Sequence, residues 1–338
     1  MTEQQKVVFT EDEIRPKEMA MAQQEFIDID RNFLLSRMSE WCEVLCPACN
    51  SMDFKFFGEK RGFVYVECAK CGTVYTNPRP SQTLLHDLYA NSQVYKYWNK
   101  YMFPASEHTR RVHIFRPRAE RLADYCKTSG INCDTLLEVG AGFGIFCEEV
   151  SKLGLFKRII VVEPTSDLAE TCRLKGFDVM NMPVEDITES EFIDVLAAFE
   201  VIEHLFSPEQ FLKQCFRMLR PGGLLFLTCP NVRGFDVATL RMLSTTFDHE
   251  HINYFHPKSL FMLLLNCGFD NINIQTPGQL DAEIVRKTVL DGKFEVNNHP
   301  FLREILLERW EELGNPFQKF LVGNKLSSHM SVFCKKIK

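Results

Sequence analysis

The sequence predicts an α/β fold built on a doubly wound parallel sheet, with a small cysteine-built module ahead of it. Three observations carry this expectation. From residue 135 onward, short apolar runs bounded by turn residues alternate with helical patterns, the rhythm of βαβ units. The first of these runs passes through a glycine-rich turn into a helix. Upstream, four cysteines stand as two C-x2-C pairs between residues 46 and 71.

A chain of 338 residues, 45% hydrophobic and 25% charged, has room for one large domain and a small one. The expected division is residues 1–92, a polar arm with the cysteine module, and residues 93–338, the α/β domain with a helical insertion near 281–327. The opening MTEQQKVVFTEDEIRP has no apolar core, so no signal peptide is expected. No apolar run approaches the length needed to cross a bilayer; LFMLLL at 260–265 is too short. Thirteen cysteines without an export signal indicate a reducing compartment, hence a cytoplasmic protein. A net charge of −6 with scattered Lys and Arg argues against a nucleic-acid partner.

Along the chain, apolar residues at helical spacing predict a helix over 25–38. The aromatic and β-branched stretch of the cysteine module predicts short hairpins. Helices follow over 82–90 and 107–127. Residues 135–140, 158–164, 194–200 and 223–230 read as strands covered on both faces. Helices fit between them at 145–153, 167–175 and 208–219, the last stopped by Arg220-Pro-Gly-Gly. Residues 271–277 and 328–337 read as two further strands.

Cys46, Cys49, Cys68 and Cys71 have the spacing of a zinc ribbon, in which two knuckles place four thiolates around one Zn²⁺. Four sulfurs fill the coordination sphere, so the ion would be structural and would stabilise a segment too small to fold on its own core. A redox C-x2-C is the rival reading. The remaining cysteines read as buried.

The turn after the first strand is Glu138-Val-Gly140-Ala-Gly142-Phe143-Gly144. Its glycines allow a sharp turn and close approach of a ligand, and the next helix offers free N–H groups. The spacing is GxGxG, not the GxGxxG of dinucleotide-binding proteins. Glu138 opens the motif with an acid suited to a cationic group, as on S-adenosylmethionine (SAM). Glu163, ending the second strand, can accept both hydroxyls of a ribose. The bland alternative is a tight strand–helix turn and nothing more.

Over residues 110–275 the chain resembles the class I SAM-dependent methyltransferases. The resemblance implies a Rossmann-like seven-stranded sheet, with Glu138, Gly140, Gly142, Phe143 and Gly144 in the first cofactor motif and Glu163 on the ribose. It places Val184 and Glu185, within MPVEDI at 182–187, beside the adenine, with Pro183 where many members carry an acid. Phe199-Glu200-Val-Ile-Glu203-His204-Leu and RMLRPGGLLFLTCPN resemble the branch containing the ubiquinone-pathway O-methyltransferases, with Glu200 on the cofactor side. The cysteine pairs in front resemble bacterial methyltransferases of sugar and glycan pathways. Their sugar C-methyltransferases carry Tyr-x-Glu-His where this chain has Asp248-His249-Glu250-His251.

A base is needed where an alcohol or carbon acid is methylated, and histidine suits it near neutral pH. The candidates are His251, with Glu250 to orient or charge it, and His204, which could equally be a helix-start residue. His249 and His256 read as structural. Tyr89, Tyr95, Tyr97, Trp98, Tyr101 and Phe103 either pack or roof the site. The leading expectation is methyl transfer to a small acceptor, a nucleotide sugar or glycan precursor, at O or C. The alternatives are O-methylation of a phenolic or prenylated small molecule, and a zinc-ribbon binding protein without catalysis.

Overall fold

The computed structural model describes residues 10–337; residues 1–9 of the polar arm and residue 338 lie outside it. The main sheet has seven strands, numbered here within the large domain: β1 (Thr135–Val139), β2 (Arg158–Val162), β3 (Asp178–Met180), β4 (Ile193–Phe199), β5 (Leu219–Pro230), β6 (Asp270–Gln275) and β7 (His329–Lys335). Their order is β6-β7-β5-β4-β1-β2-β3. β1 and β4 are buried at every residue, as unbroken apolar runs require when helices cover both faces. α1 (Ile145–Lys152), α2 (Ser166–Leu174) and α3 (Pro208–Met218) supply the crossovers. Leu136 and Phe146 pack on one face against Ala119 and Leu122 of the helix Arg116–Ser129. Leu137, Val139, Phe211 and Leu263 fill the other.

The sheet is mixed rather than parallel. β3, β2, β1, β4 and β5 run parallel, whereas β7 lies antiparallel between β5 and β6. The insertion leaves β6 and feeds β7 as the next neighbour in the sheet, so no crossover is needed to return the chain. The helix before Arg-Pro-Gly-Gly ends at Met218, as expected, but the strand starts earlier than residue 223. The segment itself enters β5, with a register shift between Leu219 and Leu224. The Gly222 N–H donates to Lys336 O (2.6 Å) and the Lys336 N–H to Gly223 O (3.0 Å), which keeps this bulged start paired.

The helix expected over 107–127 is longer and interrupted. It runs as Phe103–Arg110, one wide π turn at Arg111–Phe115, then Arg116–Ser129. Pro117 has no N–H to give the preceding turn, and the backbone widens before it; Pro104 follows a second π turn, Trp98–Met102, for the same reason. The N-terminal helix is Lys17–Leu35 rather than 25–38. Its polar first half is ordered by partners far along the chain. Trp98 Nε1 donates to Gln23 Oε1 (3.0 Å), and Phe26 stacks on Tyr97.

The cysteine module forms antiparallel strands Phe54–Lys60, Phe63–Cys68 and Val74–Thr76. Its fourth strand comes from the large domain: Asn253–Tyr254 pairs with Tyr75 and Val74. The division near residue 92 is therefore crossed by a shared sheet. Asn253 is fully buried and ties this junction together. Its Nδ2 donates to Leu205 O (2.7 Å), with the carbonyls of Ile202 and Glu203 at 3.3 Å, and its Oδ1 accepts from Arg79 Nη1 (2.8 Å). Arg79 is itself buried against the Phe206 ring. Asn253→Ala would strand the Arg79 guanidinium and take the side-chain donor from Leu205 O and Ile202 O, while Glu203 O keeps the Ile252 N–H. Urea unfolding should show a loss of roughly 3 kcal/mol, with an unchanged m-value.

Candidate functional site

The glycine-rich turn joins β1 to α1 at the carboxyl edge of the sheet. Gly140, Gly142 and Gly144 hold φ of 68°, 54° and 71°, where side chains are strained, and a Cβ on Gly140 would stand 2.9 Å from Val201 Cγ2. The turn is stitched to β2 by the Gly140 N–H on Val162 O (2.8 Å). Glu163 continues the seam, accepting from Gly142 N (3.1 Å) and Thr165 N (2.9 Å), one on each oxygen. Each oxygen keeps a lone pair for a ligand hydroxyl.

Glu138 is buried and accepts the Cys147 thiol (2.9 Å); burial pushes its carboxyl up to about 7, with the Arg118 charge opposing. Phe143 stacks on Phe103 at 5.7 Å, and Lys175 Nζ lies 4.2 Å from its ring. Val184 and Glu185 sit in a short turn beyond β3, where Val184 O accepts from Gln214 Nε2 (3.2 Å). Glu200 ends β4 at φ 53°, a left-handed conformation that costs a non-glycine residue about 1 kcal/mol or more. Thr228 Oγ1 donates to its Oε1 (2.5 Å), with Arg118 and His329 each 3.5 Å away. Its side chain stays 40% exposed at this interior strand end, so the sheet edge opens there into a cleft.

A second group lies beside it. Glu203, His204 and His251 bring one ligand atom each to within 4.8 Å of one another, a set able to hold a divalent cation. The two imidazole centroids are 4.7 Å apart. Glu203 is fully buried with neither oxygen bonded, and burial together with the Glu200 charge holds its carboxyl well above the usual range. His204 is pulled down to about 3, by burial first and by His251 second, and so remains neutral. The His251 Nδ1–H donates to Thr246 O (2.8 Å), which leaves the Nε2 lone pair free.

Glu250 does not orient His251, contrary to the expectation from the sequence. Asp248 takes that place. Its Oδ1 accepts the N–H groups of Glu250 (2.9 Å) and His251 (2.7 Å), and its Oδ2 lies 3.5 Å from His251 Nδ1. The turn so formed sends Glu250 toward His249, whose Nε2 is 3.9 Å from Glu250 Oε1. Asp248, Arg118 and His329 were missed in the sequence. The alignment of 248–251 on a Tyr-x-Glu-His pattern was the available signal for Asp248. Of the aromatic group, Phe103 reaches the cofactor turn, and Tyr89 and Tyr95 reach the histidine pair. Tyr89 Oη donates to His204 O (3.4 Å) and Tyr95 tilts against the Tyr89 ring.

In the cysteine module, Cys46 Sγ is 3.4 Å from Cys71 Sγ and Cys49 Sγ 3.5 Å from Cys68 Sγ. All four sulfurs lie within 4.8 Å of one another. A tetrahedron of Zn–S bonds needs about 3.8 Å between sulfurs, so the cluster fits that ion with little adjustment.

Residues 84–274 match the methyltransferase domain family, more than half of the chain. The chain belongs to this family. It is a SAM-dependent methyltransferase. The ubiquinone biosynthesis O-methyltransferase of Bradyrhizobium diazoefficiens is 33% identical over 176 residues, 48% of this chain and 68% of that protein. The mitochondrial protein of that name from Candida albicans is 32% identical over 127 residues, 35% of this chain and 37% of its own length. Among solved structures, a chain from the complex of the Haloferax volcanii Trm112 methyltransferase activator with a methyltransferase shares the fold. Its TM-score is 0.50 at 10% identity, covering 72% of this chain and 98% of that one. The sugar-linked acceptor expected from the sequence has no support in these relatives. Among the described residues no helix is long and apolar enough to cross a membrane. The relatives do not bear out the cytoplasmic expectation, since the Candida protein is named mitochondrial.

Because burial raises Glu138 in the folded methyltransferase to about 7, the unfolded chain loses this proton first as pH rises from 4.5. The folded state therefore loses stability between about pH 4.5 and 7, by on the order of 3 kcal/mol at most. Chemical unfolding across this range should show the loss in the wild type and its absence in Glu138→Gln.

Proposed function

We propose that the methyltransferase methylates a hydroxyl of a neutral small molecule of phenolic or prenylated class, with His251 as the base. The observation carrying this reading is the free Nε2 of an imidazole whose Nδ1–H is fixed on Thr246 O. It stands at the same sheet edge as the glycine turn. Glu138 would face the ammonium of SAM, and Gly140, Gly142, Phe143 and Gly144 its amino-acid end. Glu163 would take the ribose hydroxyls, Val184 and Glu185 the adenine, and Glu200 the cofactor side of the cleft. SAM supplies a methyl carbon on a sulfonium, already activated for displacement. The chain's part is then to align the hydroxyl with that carbon and to receive its proton on His251 Nε2 as the O–C bond forms. Asp248 holds the loop that carries the imidazole, through the His251 N–H on its Oδ1.

The pocket's charge supports a neutral acceptor. Asp248 lies beside His251, Glu200 lies at the cleft, and the nearby Arg118 is already held by Glu200. A nucleotide sugar would bring a diphosphate against these carboxylates. The relatives named for O-methylation in ubiquinone biosynthesis point the same way. Tyr89 and Tyr95 offer an aromatic wall. Zn²⁺ on Cys46, Cys49, Cys68 and Cys71 would hold the module that carries the His251 loop through Asn253–Tyr254.

Methyl transfer from labelled SAM to a catechol with a prenyl chain, and none to a nucleotide-linked sugar, is the expected result; the reverse pattern overturns the acceptor class. His251→Asn should bind SAM normally yet lose about 10²–10⁴-fold in kcat. A near-normal His251 variant beside a dead His204 variant would move the base to His204. Glu163→Ala should weaken SAM binding by roughly 2–3 kcal/mol in calorimetry while leaving the thermal unfolding profile intact. Elemental analysis should find one zinc on the four cysteines, and Cys68→Ser should release it.

A further inference from the structure

We infer that Asp30, His249 and Glu250 form a divalent-cation site that clamps the N-terminal helix to the loop carrying His251. One ligand atom from each of the three lies within 4.8 Å of the other two. Asp30 sits on the helix Lys17–Leu35, more than two hundred residues before the loop in sequence. Asp30 and His249 are 97% and 95% buried, at 3% and 5% exposure.

Buried polar atoms are almost always bonded, and those that are not call for a water or an ion. Here two partners are open. His249 Nε2 and Glu250 Oε1 have no hydrogen bond, although they stand only 3.9 Å apart. A direct bond would need about 2.9 Å. The gap is wider than a hydrogen bond, and an ion with bonds of about 2.1 Å would draw the two ligands together by roughly half an ångström, to about 3.4 Å in a tetrahedral shell. Asp30 is pre-oriented for the same purpose. Ser92 Oγ (2.6 Å) and Val94 N (3.1 Å) hold its Oδ2, and Gln93 N (3.0 Å) its Oδ1. These donors fix the carboxylate and leave it a free lone pair.

Carboxylates outnumber cations around the site: Arg31 acts on His249 but is itself paired with Asp28 (2.8 Å), against Asp30, Asp248 and Glu250. Asp248 and Asp30 both act on Glu250, and Glu250 in turn faces Tyr89 and Tyr95. A cation satisfies the open atoms and the excess of carboxylates together, where a water answers only the first. One imidazole and two carboxylates suit a borderline divalent ion, Mn²⁺ or Zn²⁺, with water completing its shell. Glu250, 16% exposed, marks the side by which the ion enters. The site is separate from Glu203, His204 and His251, and does not depend on which group takes the acceptor's proton.

The test uses the full chain, stripped of loosely held metal, with Mn²⁺ as probe and its paramagnetic resonance as readout. Mn²⁺ avoids thiolates, so the cysteine cluster does not enter the count. One tightly held Mn²⁺ per wild-type chain is expected, with a rise in thermal stability. His249→Gln and Glu250→Gln should each weaken it at least about tenfold, and Glu203→Gln should leave it unchanged. Failure of the wild type to hold Mn²⁺ overturns the site. Binding lost in Glu203→Gln but kept in Glu250→Gln overturns it equally, because the ion would then belong to the neighbouring histidine pair. A His249 variant that does not fold leaves the wild-type count and the Glu250 variant to decide.

Discussion

The pairing of Asn253–Tyr254 with Tyr75 and Val74 is the contact on which the site's geometry depends. It makes the cysteine module a splint for the loop that ends in His251, because Asn253 is only two residues away. The same side chain holds the carbonyls of Ile202, Glu203 and Leu205, so the segment carrying Glu203 and His204 is fixed by the same residue. Two histidines from separate loops meet because one buried amide organises both. Tyr254 Oη closes the arrangement on His251 O at 2.6 Å.

Much of this was legible from the sequence where the signal is local. The glycine turn needs positive φ at fixed positions, and the C-x2-C pairs bring their own geometry. β1 and β4 declare themselves as apolar runs because helices cover both faces. What stayed hidden is non-local. A two-residue strand has no period to detect, and Asn253–Tyr254 is a strand only because Val74–Thr76 lies across from it. Asp248 was passed over because the neighbouring Glu250 looked like the natural partner of His251. The chain's turn, not residue type, decides which carboxylate meets the imidazole. Likewise Lys17–Leu35 begins in polar sequence that becomes ordered only against Tyr97 and Trp98.

Five of the eleven buried side-chain polar atoms without a hydrogen bond among the described residues lie at the same edge. Glu203, Glu250, His204 and His249 each hold a polar atom with no partner, while elsewhere carboxylates such as Glu149 are met by Arg111, Arg116 and Lys152. Folding alone would favour removing such groups. Their persistence in one cleft, beside a strained Glu200, separates the region that binds and reacts from the region that only holds the fold together.

The antiparallel β7 carries a consequence for how this enzyme can diversify. Gln275, at the end of β6, pairs with Ser331 near the start of β7, so the helical insertion departs from and returns to almost the same point. Topologically the whole segment is an overgrown hairpin loop. It can lengthen, shrink or be exchanged for another sequence without altering the register of either strand. The fold thus keeps its cofactor edge constant and leaves an adjoining wall open to replacement.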